Sequence, residues 1–131
     1  MSRELPARGE LWWADLADAG ARPVVVISRD AAIQGRRRAI VAPCSTTIRN
    51  LPSELLLEPG DEPVHQPCVA QLDSVTDLPV QVLTRRLGRL SDDSMREACH
   101  ALAVASGYAP CSAAKTTMPW LPPPRCASRS R

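Results

Sequence analysis

Apolar residues fall along this chain in short runs, and their period changes once. Residues 9–16 (GELWWADL) make the first run. As a strand, it sends Trp12 and Trp13 to opposite faces, one into the core and the other to the surface or an interface. The run Val24-Val25-Val26-Ile27 does not alternate. It predicts a second strand over 22–28 that is buried on both faces. Pro23 holds Arg22 extended and removes a ladder donor, which suits a strand start. Further strands are expected over 36–44, 53–58, 68–73 and 84–90. Segment 29–35 reads as a loop or short turn, and 75–83 as a connection turning at Asp77-Leu78-Pro79.

After residue 90 the period becomes helical. Ser91 is a good N-cap, and Asp92 and Asp93 suit the positive end of a helix dipole. Met95, Ala98, Cys99, Leu102 and Ala105 form one apolar stripe, and Gly107 is a natural stop. Short strands joined by Gly and Pro turns, then one helix, predict a mainly β domain with a C-terminal helix, built as a small β-barrel. The domain is expected over 1–108. Residues 109–131 carry the run Pro122-Pro123-Pro124 among Ser and Arg and read as a disordered tail. Trp120 is its one candidate for docking.

Composition narrows the function. The 131 residues suffice for one core, and three Trp, one Tyr and no Phe argue against modules that stack bases on aromatic rows. The net charge of +2 says little about nucleic acid. All the basic residues but Lys115 are Arg, whose forks suit phosphate geometry; a codon bias toward Arg explains this equally well. The five cysteines are irregularly spaced, with no CxxC pair, and read as reduced thiols of a cytoplasmic protein. No metal site is expected, because neither His65 nor His100 stands at ligand spacing from paired cysteines. No signal peptide and no membrane segment are expected, since no apolar run approaches the ~20 residues a span needs.

The candidate chemistry lies at two strand ends. Arg22 opens one apolar run and Ser45-Thr46-Thr47 close another. If adjacent strands bring them together, a permanent cation stands beside hydroxyls that can hold a phosphate. The plainer readings are a surface charge and a turn that satisfies its own backbone. Arg36-Arg37-Arg38, and Arg85, Arg86 and Arg89, read as solvated strand ends.

Three stretches, Arg8 to Leu16, Arg22 to Ser28, and Ala42 to Thr47 with Leu51-Pro52-Ser53-Glu54, resemble the MazF/PemK family of toxin endoribonucleases. Weaker matches at Leu72-Asp73-Ser74-Val75 and over 83–90 extend the likeness to residues 8–108. The resemblance implies an SH3-like β-barrel homodimer that acts as the toxin of a type II toxin–antitoxin module. It implies cleavage of single-stranded RNA at short sequences, with no metal or cofactor, and neutralisation by a cognate antitoxin lying in the RNA groove. Carried over, Arg22 falls on the catalytic Arg, and Ser45 on the position of the catalytic Thr in many members. Asp73 falls on an acidic position proposed as catalytic in the Kid branch, which has Arg where this chain has Gln71. Thr46, Thr47, Arg49 and Ser74 are the implied RNA contacts; Ser74 stands where Gln is common. RNA carries its own nucleophile, so the expected products are a 2′,3′-cyclic phosphate and a 5′-hydroxyl. Two rival readings use the same barrel: a CcdB-like gyrase poison, and an inactive homologue that only binds antitoxin.

Overall fold

The computed structural model describes residues 5–17 and 20–107. The elements run β1 (Glu10–Leu16), β2 (Gly20–Val26), α1 (Asp30–Arg36), β3 (Arg38–Ser45), β4 (Glu54–Leu57) and β5 (Cys68–Gln71). A 3-10 turn (Leu72–Ser74), β6 (Thr76–Pro79), a second 3-10 turn (Val80–Val82), β7 (Leu83–Arg89) and α2 (Asp92–Ala105) complete them. The sheet follows the order β4-β5-β3-β2-β1-β7, and β6 pairs with β3 beside that path. Its end strands β4 and β7 are not paired with each other, so the barrel-like sheet stays open. The tail beyond residue 108, with Trp120, lies outside the described residues.

Burial on two faces explains the apolar run of β2. Val24, Val25 and Val26 are all fully buried. Val25 joins a core with Leu11, Ala42, Cys44, Leu55, Leu57, and Ala98 and Ala101 of α2. Val24 and Val26 face a second core with Trp12, Ala14, Val41, Leu83 and Ile33 of α1. Alternation along β1 likewise buries Trp12, whose Nε1 donates to Glu10 Oε1 at 2.9 Å, and leaves Trp13 half-buried.

Helix α2 starts where the sequence predicts, with Ser91 Oγ accepting from the Ser94 amide at 3.1 Å. Glu62 reinforces this end, accepting from the Ser91 amide and hydroxyl and from the Ser94 hydroxyl. Cys99 departs from the expected stripe: it is exposed, and Arg8 Nη2 donates to its sulfur at 3.0 Å.

Two connections were expected without regular structure and have it. Segment 29–35 contains α1, which carries one apolar anchor, Ile33, fully buried, and closes at Arg37 in the left-handed region. A helix this short has too few apolar positions to show a period. Segment 75–83 contains β6, paired with β3 from Arg38↔Pro79 to Val41↔Thr76. Pro79 is tolerated because it ends the strand, and Arg38 Nε donates to Asp77 Oδ2 at 2.6 Å across the pair. Arg36 and Arg38 therefore share Asp77 and are not simply solvated.

Candidate active site

Strands β2 and β3 pair as Val26↔Val41, Val25↔Ala42 and Val24↔Pro43. The same register continued two residues brings Arg22 opposite Ser45, and facing residues of an antiparallel pair share a face. Electrostatics agree. Cys68 and burial hold the thiol of Cys44, the residue before Ser45, well above its ordinary value, and the nearby Arg22 charge pulls against that rise. Arg22 is half-buried with its Nε fully covered, so the cation sits at a strand end in a partly dry setting. Two segments remote in sequence thus meet at one end of the β2–β3 pair.

Beside them is a cleft of about 520 Å³. Ser45 and Thr46 line it together with Trp13, His65, Cys68 and Arg85. Its far wall is the loop between β4 and β5, which is pressed onto β7. A Cβ built on Gly88 would stand 2.4 Å from Pro63 Cβ, so only glycine allows this approach. Ser45 Oγ accepts from the Thr47 amide at 3.1 Å, which braces the turn and fixes the hydroxyl. Thr47 and Arg49 are exposed on the outgoing loop, where the Arg49 amide donates to Glu54 Oε1 at 3.1 Å.

Asp73 and Ser74 stand elsewhere. Strand β5 runs antiparallel to β3, with Val69 opposite Ser45. Asp73 lies four residues further along the chain, in the 3-10 turn that follows β5. Its carboxylate accepts from the Ser53 hydroxyl, and the Leu72 amide donates to the Ser53 carbonyl at 3.1 Å. Ser45 and Thr46 thus line the cleft, Arg22 lies level with Ser45 on the neighbouring strand without lining it, and Asp73 and Ser74 sit in the turn after β5.

No sequence signal marks the cleft's outer wall. His65 and Gln66 lie in a loop without period, and Arg85 reads as one of several strand-end charges. Only the alternation of Trp12 and Trp13 hinted at an aromatic side chain left outside the core. Among the described residues, no group of three or more His, Cys, Asp or Glu side chains is placed to hold a metal. No described helix is long and apolar enough to cross a membrane.

Known proteins resemble this chain in sequence and fold. The chain is 59% identical over 101 residues to "Probable endoribonuclease MazF5" of Mycobacterium tuberculosis, covering 77% of this chain and 93% of that protein. It is similar to the solved "Endoribonuclease in complex with its cognate antitoxin from Mycobacterial species", with a TM-score of 0.70 and 27% identity, over 78% of this chain and 95% of that one. The "Mycobacterium tuberculosis toxin MazF-mt6" matches with a TM-score of 0.69 and 27% identity, over 76% and 98% of the two chains. The model of the family described as "PemK-like, MazF-like toxin of type II toxin-antitoxin system" matches residues 7–105, which span both strand ends of the candidate site, and the chain belongs to that family.

Proposed function

We propose that this protein is an endoribonuclease toxin that cleaves single-stranded RNA through attack of the 2′-OH on the adjacent phosphorus. The observation that supports this is the β2–β3 register, which, continued from Val24↔Pro43, puts Arg22 level with Ser45, a residue of the cleft lining. The phosphodiester binds across this strand end. Arg22, always protonated, stabilises the charge that grows on the phosphoryl oxygens. Ser45 holds a phosphate oxygen or the 2′-OH in line, and Thr46, Thr47 and Arg49 contact the strand on either side. The reaction needs positioning and charge stabilisation, which these groups supply without a metal.

Protons must also move. Among the side chains lining the cleft, His65 brings an imidazole, which can both accept and donate a proton. It accepts the 2′-OH proton or returns one to the leaving 5′-oxygen. Asp73, held by Ser53 in the turn after β5, takes no step in this scheme. The working form is a homodimer, and a cognate antitoxin silences it by lying across the cleft.

The test is incubation of the purified protein with a defined single-stranded RNA in EDTA. Products ending in 2′,3′-cyclic phosphate and 5′-hydroxyl are expected. A substrate with 2′-deoxyribose at the scissile step should stay intact. Cleavage at that deoxy step would rule out the internal nucleophile, and intact RNA throughout would favour a toxin that acts by binding alone.

A further inference from the structure

The proposed reaction leaves two buried thiols at the cleft unused. Cys44 pairs with Ala70 across β3 and β5, so Cys68, two residues before Ala70, projects from the same face on the diagonal. Both belong to one apolar core, at 5% and 6% exposure, yet both line the cleft. Interaction with Cys44 holds the Cys68 thiol below its usual range, although burial opposes it. Cys44 is held well above that range by its interaction with Cys68 and by burial, with the Arg22 charge pulling the other way. Cys68 is therefore the thiol poised to act first, and Cys44 the one placed to follow.

We propose that Cys44 and Cys68 form a dithiol modification site in the cleft wall, which takes a low-molecular-weight disulfide as its reagent and closes to an intramolecular disulfide. The Cys68 thiolate attacks one sulfur of the reagent RSSR, forming a mixed disulfide and expelling RS⁻. The cleft provides the room for this adduct. The Cys44 sulfur, losing its proton, then attacks Cys68 Sγ and expels the second RS⁻. The pair gives up two electrons and two protons, and the reagent leaves as two RSH.

Closure has a mechanical consequence. Diagonal neighbours across an antiparallel pair have Cα atoms roughly 7–8 Å apart, at or just past the reach of a disulfide, about 7 Å. Forming the bond therefore draws the end of β3 toward β5. Ser45 is the next residue, so the turn that carries its hydroxyl moves relative to Arg22. This consequence rests on the endoribonuclease reading; the modification site does not.

The test uses the full chain with Cys99, Cys111 and Cys126 replaced by Ala, reduced and then incubated with oxidised glutathione. Intact mass should fall by two hydrogens, peptide mapping should find Cys44 linked to Cys68, and dithiothreitol should reverse both. With Cys44→Ala added, modification should stop at a glutathione adduct on Cys68. Unmodified thiols, or a lasting adduct on Cys68 with Cys44 present, overturn the site. RNA cleavage by the linked form should fall on the order of 10²-fold, the scale of a misplaced catalytic group, and return on reduction. Unchanged cleavage by fully linked protein overturns the coupling to Ser45. A reduced protein that cleaves no RNA overturns the endoribonuclease reading, while the mass result still decides the site.

Discussion

One guanidinium carries most of the chemistry at the scale of single residues. Arg22 works as a fork of donors on a charge that exists only as the phosphoryl group reacts, so its removal should cost rate and little stability. Arg22→Ala is expected to slow RNA cleavage on the order of 10²–10³-fold with an unchanged unfolding midpoint; undiminished cleavage by folded variant would discard the assignment. Arg22→Lys keeps the charge and loses the fork, and should recover only part of the rate. His65 is tested by its pH signature. His65→Ala should lower the rate on the order of 10²-fold and flatten one limb of the pH–rate profile. If both limbs persist, another group moves the proton.

At the scale of elements, the site depends on pieces that hold it from behind. The loop between β4 and β5 walls the cleft because β7 offers it a glycine. Gly88→Ala puts a methyl where Pro63 already stands. It should destabilise the fold by about 1–3 kcal/mol, as overpacking does, or lift the loop and weaken RNA binding. A urea titration together with a KM measurement would show which, and no change in either would mean the loop is not clamped there. Helix α2 is held at its start by Ser91 and Glu62 together. Ser91→Ala should cost about 0.5–2 kcal/mol, read as a lower urea midpoint. The elements absent from the sequence reading, α1 and β6, share a cause. Each is too short to show a period, and each exists through tertiary partners: the burial of Ile33, and the ladder and the Arg38 ion pair that β3 offers β6.

The whole molecule shows its electrostatics in its response to acid. Burial pushes the Glu10 carboxyl up, but hydrogen bonds from Trp12 Nε1, the Ala7 amide and Arg86, with the Arg86 charge, bring it below the usual carboxylate range. A group whose folded value is lowered stabilises the fold above its unfolded value, and that contribution is lost as pH falls through the folded one. Stability should therefore drop on acidification from the ordinary carboxylate range downward. Glu10→Gln should shrink the difference between urea midpoints measured at neutral and acid pH. An equal difference in parent and variant would show that Glu10 is not part of the acid response.

Most of the strands, the doubly buried β2 and the capped terminal helix could be read from the chain alone, because apolar period, proline placement and capping residues act locally. The pairing of Arg22 with Ser45 could only be suspected from the sequence. It required β2 and β3 to be neighbours in one register, and register is set by which faces are buried across the sheet. The seat of Asp73 against Ser53, the wall formed by His65, and the shared face of Cys44 and Cys68 were decided by the tertiary structure. Each depends on where β5 and its preceding loop come to rest, and no local preference of those residues specifies that.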